Sequence, residues 1–283
     1  FNSILKALLI LKKSKIEIVI STGGYMSLPL CLASKILNIK LFLFEPNMVL
    51  GKSNKFFINY CEKIFCYSNR IKNFPKKLTD KISVIPPLLR KEFYNIKEID
   101  NTNKDVNLLI IGGSQGAKFF DTVIQSTIVK LSKKYKIKVY QQTRLNNFQK
   151  LKFFYQSNKI DHELFDFNDE ISISMNKANI CITRAGASTL AELVFLNIPH
   201  VTIPLPAAKD NHQFENASFY HQHGCNWILN QHEINEDSLT NTLINIIDNK
   251  DEYLKKIKNM KNFSYQNSWN NINLKIISTI NEN

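Results

Sequence analysis

A chain of 283 residues with 44% hydrophobic content is long enough for one large or two medium domains with proper cores, so a globular two-domain protein is the default. The formal charge of +13 suits an anionic partner such as a membrane surface, a nucleic acid or a phosphorylated substrate. Only Arg70, Arg90, Arg144 and Arg184 are arginines, however, and scattered lysine among abundant Asn and Ile reads first as solvated surface, which makes nucleic acid a poor candidate. The five cysteines show no C-x-x-C spacing and read as core thiols of a reducing compartment. No run of about 18 uncharged apolar residues occurs, which excludes a bilayer-spanning helix.

Phe1 is not a methionine and no signal peptide precedes the fold, so the chain is expected to begin mid-protein. Residues 1–13 set Phe1, Ile4, Leu5, Leu8, Leu9 and Leu11 against Lys6, Lys12 and Lys13. This is an amphipathic helix, suited either to pack on a sheet or to meet an anionic leaflet. A strand at 16–20 runs into Ser21-Thr22-Gly23-Gly24-Tyr25-Met26-Ser27-Leu28-Pro29 and a helix at 30–37. Glycines there let backbone amides approach a phosphate, although tight strand-to-helix turns use them routinely. The strand at 40–44 ends in Glu45-Pro46-Asn47. A carboxylate and an amide in that position suit hydroxyl recognition or general base work, and also an ordinary turn. A helix at 50–61, strands at 63–67 and 82–85, and Pro86-Pro87-Leu88-Leu89-Arg90 follow. The polar stretch around 95–106 has no apolar periodicity and reads as a domain linker.

A strand at 107–111 then leads through Gly112-Gly113-Ser114-Gln115-Gly116-Ala117 into a helix reaching about Ser132. Strand, Gly-rich turn and helix make a phosphate cradle of backbone N–H groups at a positive helix end. The spacing is not G-x-G-x-x-G, and the next strand, 137–141, closes on no acidic residue, which disfavours a dinucleotide oxidoreductase. A buried strand at 178–183 precedes Arg184-Ala185-Gly186-Ala187-Ser188-Thr189-Leu190-Ala191-Glu192, where Gly186 opens a helix at the carboxyl edge of the sheet. Ligands of open parallel sheets bind at that edge. Glu192 falls about one turn after Ser188. A strand at 199–203 ends in a Pro-rich turn that delivers Asp210, His212, Gln213 and Asn216, with His212 and Asn216 on one helical face. The plainer alternative is a βαβ unit with a capped helix and a polar loop. Helices at 236–247, 251–260 and 266–280 close the chain. There is no Asp-x-Asp pair and no His/Asp/Glu cluster with metal spacing, so the chemistry is expected to need neither metal nor cofactor.

These segments resemble glycosyltransferase family 28, and within it the enzymes that add N-acetylglucosamine to the lipid-linked muramyl-pentapeptide precursor of peptidoglycan. The family's R-[SA]-G-A-x-T-x-x-E pattern is matched at 184–192, and D-x-H-Q-x-x-N-A at 210–217. G-G-Y-x-S-x-P is matched by Gly23, Gly24, Tyr25, Ser27 and Pro29, and G-G-S-x-G-[AS] at 112–117. Elsewhere the match is partial. H-E-Q-N reads Phe44-Glu45-Pro46-Asn47 here, G-N-P-V-R keeps only Arg90, and H-Q-x-G keeps Gln142 while Arg144 departs.

The resemblance implies an α/β GT-B fold: two Rossmann-like domains with parallel sheets facing a central cleft. Residues 1–95 would form an acceptor and membrane-side domain, 96–106 the linker, 107–265 the UDP-sugar donor domain, and 266–283 a helix crossing back to the first domain. On the donor side, Gly113, Ser114, Gln115 and Gly116 would face the diphosphate and Arg90 would meet a nucleotide phosphate with its planar fork. Asn168 would lie at the uracil edge with Ile171 packing on the base. Asn47 and Ala187 would complete the donor site. Glu192 would accept hydrogen bonds from the ribose hydroxyls, as an acceptor-only carboxylate can. Gln213 and Asn216 would lie against the sugar with His212, although Arg184, Asp210 and His212 serve equally well as ties of their loop. Gly23, Gly24, Tyr25 and Ser27 would hold the acceptor's pyrophosphate, and Glu45 is the candidate catalytic residue.

The implied reaction is an inverting, metal-independent transfer from UDP-N-acetylglucosamine to undecaprenyl-pyrophosphoryl-N-acetylmuramoyl-pentapeptide. It would take place at the cytoplasmic face of the inner membrane, with anionic lipid as a surface partner and no nucleic acid. The family's first strand and its G-G-T-G-G-H loop would lie upstream of Phe1. That implies a fragment of a longer product or a truncated relative that binds donor without turnover. Another GT-B enzyme, such as a UDP-N-acetylglucosamine 2-epimerase, is the remaining alternative.

Overall fold

The computed structural model describes residues 2–96, 105–166 and 171–283, with the backbone alone at 113–118. The chain divides into two compact units, Phe1–Leu88 with Asn267–Asn283, and Leu89–Gln266.

The first unit runs α1 (Asn2–Lys13), β1 (Ile18–Ser21), α2 (Leu28–Ile36), β2 (Lys40–Glu45), α3 (Lys52–Phe57), β3 (Ile64–Cys66) and β4 (Ile82–Val84). Its strands pair in parallel in the order β1-β2-β3-β4. The core follows from the apolar run of β2, whose Leu41, Phe42 and Leu43 are buried with Phe57, Ile64 and Phe65. The rings of Phe42 and Phe65 stack at 6.1 Å. Strand β1 starts two residues later than its apolar pattern suggests because Lys15 adopts a left-handed φ of 50° and Ile16 N bonds to Leu11 O at 3.1 Å. That closes α1 with a left-handed C-terminal turn. Helix α3 is shorter than the expected 50–61. Leu50 N bonds to Lys72 O at 3.0 Å beside a Val49–Lys72 bridge, which holds the chain extended up to the Gly51 cap.

The second unit runs β5 (Val106–Ile111), α4 (Gly113–Ser132), β6 (Ile137–Gln142), α5 (Phe148–Ser157), β7 (Asp161–Phe165), α6 (Ile171–Asn176), β8 (Ile180–Thr183), α7 (Ala187–Phe195), β9 (His200–Thr202), α8 (His212–Gln222), β10 (Asn226–Ile228), α9 (Glu236–Asp248) and α10 (Lys250–Ser264). All its strands pair in parallel, in the order β10-β9-β8-β5-β6-β7. Successive strand residues point to opposite faces, so a parallel sheet covered on both sides buries unbroken apolar runs. Leu108, Ile110, Ile180 and Ile182 enter one cluster, with helix residues Ile124, Ile128 and Leu243. Leu109, Ile111 and Cys181 enter the other, with Met175 and Leu193. Leu89 and Phe93 belong to that second cluster, which groups Leu89–Asn95 with the second unit instead of the first. Of the expected linker, residues 97–104 lie outside the described residues. Helix α11 (Trp269–Asn281) groups with the first unit. Its Thr279 Oγ1 meets Ser83 Oγ at 3.1 Å, and Asn267 Nδ2 donates to Pro87 O at 2.9 Å.

Candidate active site

The strand order of the second unit reverses its direction of growth at β5. From β5 the chain proceeds outward through β6 and β7, then returns to β8 on the other side of β5 and continues to β9 and β10. The carboxyl ends at such a switch point form the natural crevice of an open parallel sheet. Here Ile111 is paired with Thr183 in register, so the Gly112 turn and the Arg184–Gly186 turn are neighbours. Both lead into helices whose N-caps, Gly112 and Gly186, supply no side-chain cap. The first turns of α4 and α7 therefore receive no cap from their own N-cap side chains at the same edge, an arrangement suited to anionic oxygens. Gly113, Ser114, Gln115 and Gly116 form the opening of α4, described as backbone only, and Ala187 is the first residue of α7.

Glu192 sits in α7 with 2% of its side chain exposed and is gripped by Arg90. Arg90 Nε donates to Oε1 at 2.8 Å and Nη2 to Oε2 at 3.0 Å. Burial pushes the Glu192 carboxyl above its ordinary value, and the Arg90 guanidinium opposes that rise. Arg184 is a different kind of cation. Its Nη1 donates to Ile203 O at 2.9 Å, its guanidinium lies 4.8 Å from the Phe119 ring and 5.0 Å from that of Phe120, and burial lowers its pKa to about 10. Arg184 thus ties the end of β9 to α4.

Helix α8 clamps the same turns. Gln213 Oε1 accepts from Leu205 N at 2.9 Å and Ala185 N at 3.4 Å, and Asn216 Nδ2 donates to Ala185 O at 3.1 Å. Asp210 and Asn211 precede the helix with φ of 54° and 57°. Two successive left-handed residues there are tolerated because Asp and Asn visit that region most readily. His212 Nδ1 donates to Lys209 O at 2.8 Å. The polar side chains of this segment hold the loop that shapes the edge.

In the first unit, β1 delivers Gly23 and Gly24 at φ of 81° and 82°, followed by a 3-10 turn at Tyr25–Ser27. Gly23 N donates to Ser21 Oγ at 3.2 Å, and Ser27 Oγ donates to Gly24 O at 2.8 Å. Tyr25 is 80% exposed. The neighbouring β2 ends in Glu45, which is buried. Its Oε1 accepts from Asn47 N at 3.2 Å and Asn47 Nδ2 at 3.1 Å, while Oε2 accepts from Gly51 N at 2.8 Å and Asn54 Nδ2 at 2.9 Å. The candidate base is thus a clamp: its oxygens are spent on holding Asn47 and the Gly51 cap in place, and little of it faces solvent.

Ile171, expected against a base, is buried in the core with Phe165 and Met175. It is the first residue of a helix whose apolar face must be covered. Asn168 lies outside the described residues. Two residues that the sequence did not single out organise the site. Asn54 reaches from Glu45 to the underside of the Gly23 turn, where a Cβ on Gly23 would meet its Oδ1 at 3.2 Å. Asp121, buried in α4, accepts from Gln141 Nε2 at 2.8 Å, Thr143 Oγ1 at 2.9 Å and Asn147 Nδ2 at 2.7 Å, fixing the turn after β6. Neither carries a local signal, since their partners are set by strand order. Among the described residues no group of three or more His, Cys, Asp or Glu is placed to hold a metal ion.

Residues 107–270 match the glycosyltransferase family 28 C-terminal domain, and residues 1–66 the family 28 N-terminal domain. The chain belongs to glycosyltransferase family 28. It is 63% identical over 280 residues to the UDP-N-acetylglucosamine--N-acetylmuramyl-(pentapeptide) pyrophosphoryl-undecaprenol N-acetylglucosamine transferase of Pelagibacter ubique, covering 99% of this chain and 79% of that protein. The transferase of the same name from Rickettsia canadensis is 34% identical over 252 residues, covering 87% and 71%. Among solved structures, Acinetobacter baumannii MurG superposes with a TM-score of 0.78 at 22% identity, covering 99% of this chain and 79% of its own. The Neisseria meningitidis UDP-GlcNAc 2-epimerase bound to UDP-GlcNAc gives 0.72 at 16% identity, covering 100% and 80%. These neighbours share the family's two-sheet GT-B architecture.

Proposed function

We infer that this family 28 chain transfers N-acetylglucosamine from UDP-N-acetylglucosamine to undecaprenyl-pyrophosphoryl-N-acetylmuramoyl-pentapeptide, a step of peptidoglycan synthesis. The observation that carries the reading is the switch-point edge of the second unit, where α4 and α7 start without side-chain caps and α7 carries a buried carboxylate paired with Arg90. The 63% identity to the Pelagibacter transferase, over 99% of this chain and 79% of that protein, supports the acceptor.

In this reading the α4 amino end, with Gly113 to Gly116, faces the diphosphate and Glu192 faces the ribose diol. The acceptor hydroxyl attacks the anomeric carbon and gives up its proton to solvent water as the bond from that carbon to the UDP oxygen breaks. The electron pair leaves with UDP, whose growing charge the oriented N–H groups and Arg90 stabilise. Configuration inverts in this single displacement. Gly23, Gly24, Tyr25 and Ser27 receive the acceptor's pyrophosphate. Glu45 serves by holding Asn47 and the turn beneath that loop.

The lipid-linked acceptor calls for a chain that works at a membrane surface. Among the described residues no helix is long and apolar enough to cross one. Leu5, Leu9 and Ile10 of α1, with Tyr25 and Met26, are exposed, and Lys6, Lys12 and Lys13 accompany them. Apolar and basic side chains together suit peripheral attachment to the anionic cytoplasmic leaflet.

Calorimetric titration with UDP-N-acetylglucosamine, against ADP-ribose and NAD, tests the donor site, and transfer of labelled sugar to a detergent-solubilised lipid acceptor tests the reaction. Selective binding with transfer is expected. Equal binding of ADP-ribose would sink the donor assignment, and release of a 2-epimeric sugar in place of transfer would favour an epimerase.

A further inference from the structure

Arg90 and Glu192 stand far apart in sequence, and the donor-site reading gives each a different part of the nucleotide: the phosphate to Arg90, the ribose diol to Glu192. In the structure they occupy each other. The bidentate geometry, 2.8 and 3.0 Å, engages both carboxylate oxygens. Glu192 is 2% exposed beneath an arginine that is itself 40% exposed, so Arg90 lies between the carboxylate and solvent. The guanidinium also rests 5.0 Å from the Phe93 ring and 3.6 Å from Glu92 Oε1, which holds it in this position.

Drawing Arg90 away without replacement leaves a buried carboxylate unpaired, which is costly. A nucleoside can supply hydroxyl donors to Glu192 but nothing to Arg90. A nucleoside diphosphate supplies both at once, because its phosphates give the guanidinium a new bidentate partner while its ribose gives the carboxylate new donors. We propose that Arg90 is the specificity-determining residue by which the donor site distinguishes a nucleoside diphosphate from a bare nucleoside. At rest it closes the ribose-binding carboxylate, and a phosphate-bearing ligand opens it. This rests on the donor-site reading above.

The test is calorimetric titration of uridine, UMP and UDP into the full chain and into Arg90→Ala, with melting curves to establish that the variant is folded. The proposal requires changes of opposite sign: UDP affinity falling about tenfold and uridine affinity rising about tenfold as Glu192 is uncovered. Arg90→Lys, which keeps the charge and loses the fork, gives the same signs with smaller size and serves if the alanine variant does not fold. A simple phosphate contact would weaken UDP and leave uridine unchanged, and a purely structural role would weaken both; either result overturns the proposal. Failure of the unsubstituted chain to bind UDP would instead remove the donor-site reading, and the proposal with it.

Discussion

His200 is fully buried on β9, with Nδ1 bonded to Ile198 O at 2.8 Å, and burial lowers its pKa from 6.5 to about 4. The unfolded chain therefore takes up a proton that the native chain refuses between those values. Stability from this residue is complete above pH 6.5 and is lost as pH falls, by roughly 3 kcal/mol once the histidine is charged in both states. Melting temperatures between pH 7 and pH 4 should fall less steeply in His200→Phe than in the parent chain; parallel curves would refute this account. The sequence did not disclose such a residue, since a histidine opening a strand looks the same buried or exposed. Glu45 shows the same limit from the other side. The residue stood out at the end of its strand, but its partners Gly51 and Asn54 follow it in sequence and come back to it only through the turn that leads into α3.

At the scale of elements, β5, β6, β8 and β9 were legible because parallel strands buried on both faces carry apolar runs, whereas the part-exposed β7, Asp161–Phe165, and the three-residue β10 carry no such run and were not. Helix α3 was legible but its start was not, because a backbone pairing with Lys72, remote in sequence, overrides local periodicity. The Gly23–Gly24 turn was legible as a glycine turn between strand and helix, and the structure adds why side chains are excluded. Gly23 has a φ of 81° and its missing Cβ would press on Asn54 at 3.2 Å. Gly23→Val should impose strain of about 1–3 kcal/mol on this turn alone. Acceptor use should drop at least tenfold while UDP-sugar affinity stays unchanged, measured by steady-state transfer beside calorimetry. Loss of donor affinity with acceptor use intact would show that the loop serves the other substrate.

At the scale of the whole molecule, the charge of +13 was ambiguous in the sequence because lysine spreads over any solvated surface. The proposed membrane attachment would give part of it a direction, since Leu9 at 70% and Met26 at 90% exposure accompany basic residues of the first unit. Co-sedimentation with anionic vesicles should weaken steeply as salt rises, at about 1 kcal/mol for each lysine near the surface, while neutral vesicles bind poorly. Salt-insensitive binding, or none, would remove the membrane reading. The split of the first unit across the chain ends has its own consequence in time. On the ribosome, every strand and helix of Leu89–Gln266 emerges before α11 does, so the second unit can close its sheet while synthesis continues. The strands of the first unit, β1 to β4, emerge earlier still, but its helix α11 follows the whole of the second unit. Until Asn267–Asn283 emerge, Ser83 Oγ lacks Thr279 and Pro87 O lacks Asn267, so the unit to which the proposed function gives the lipid-linked substrate completes its packing after the other.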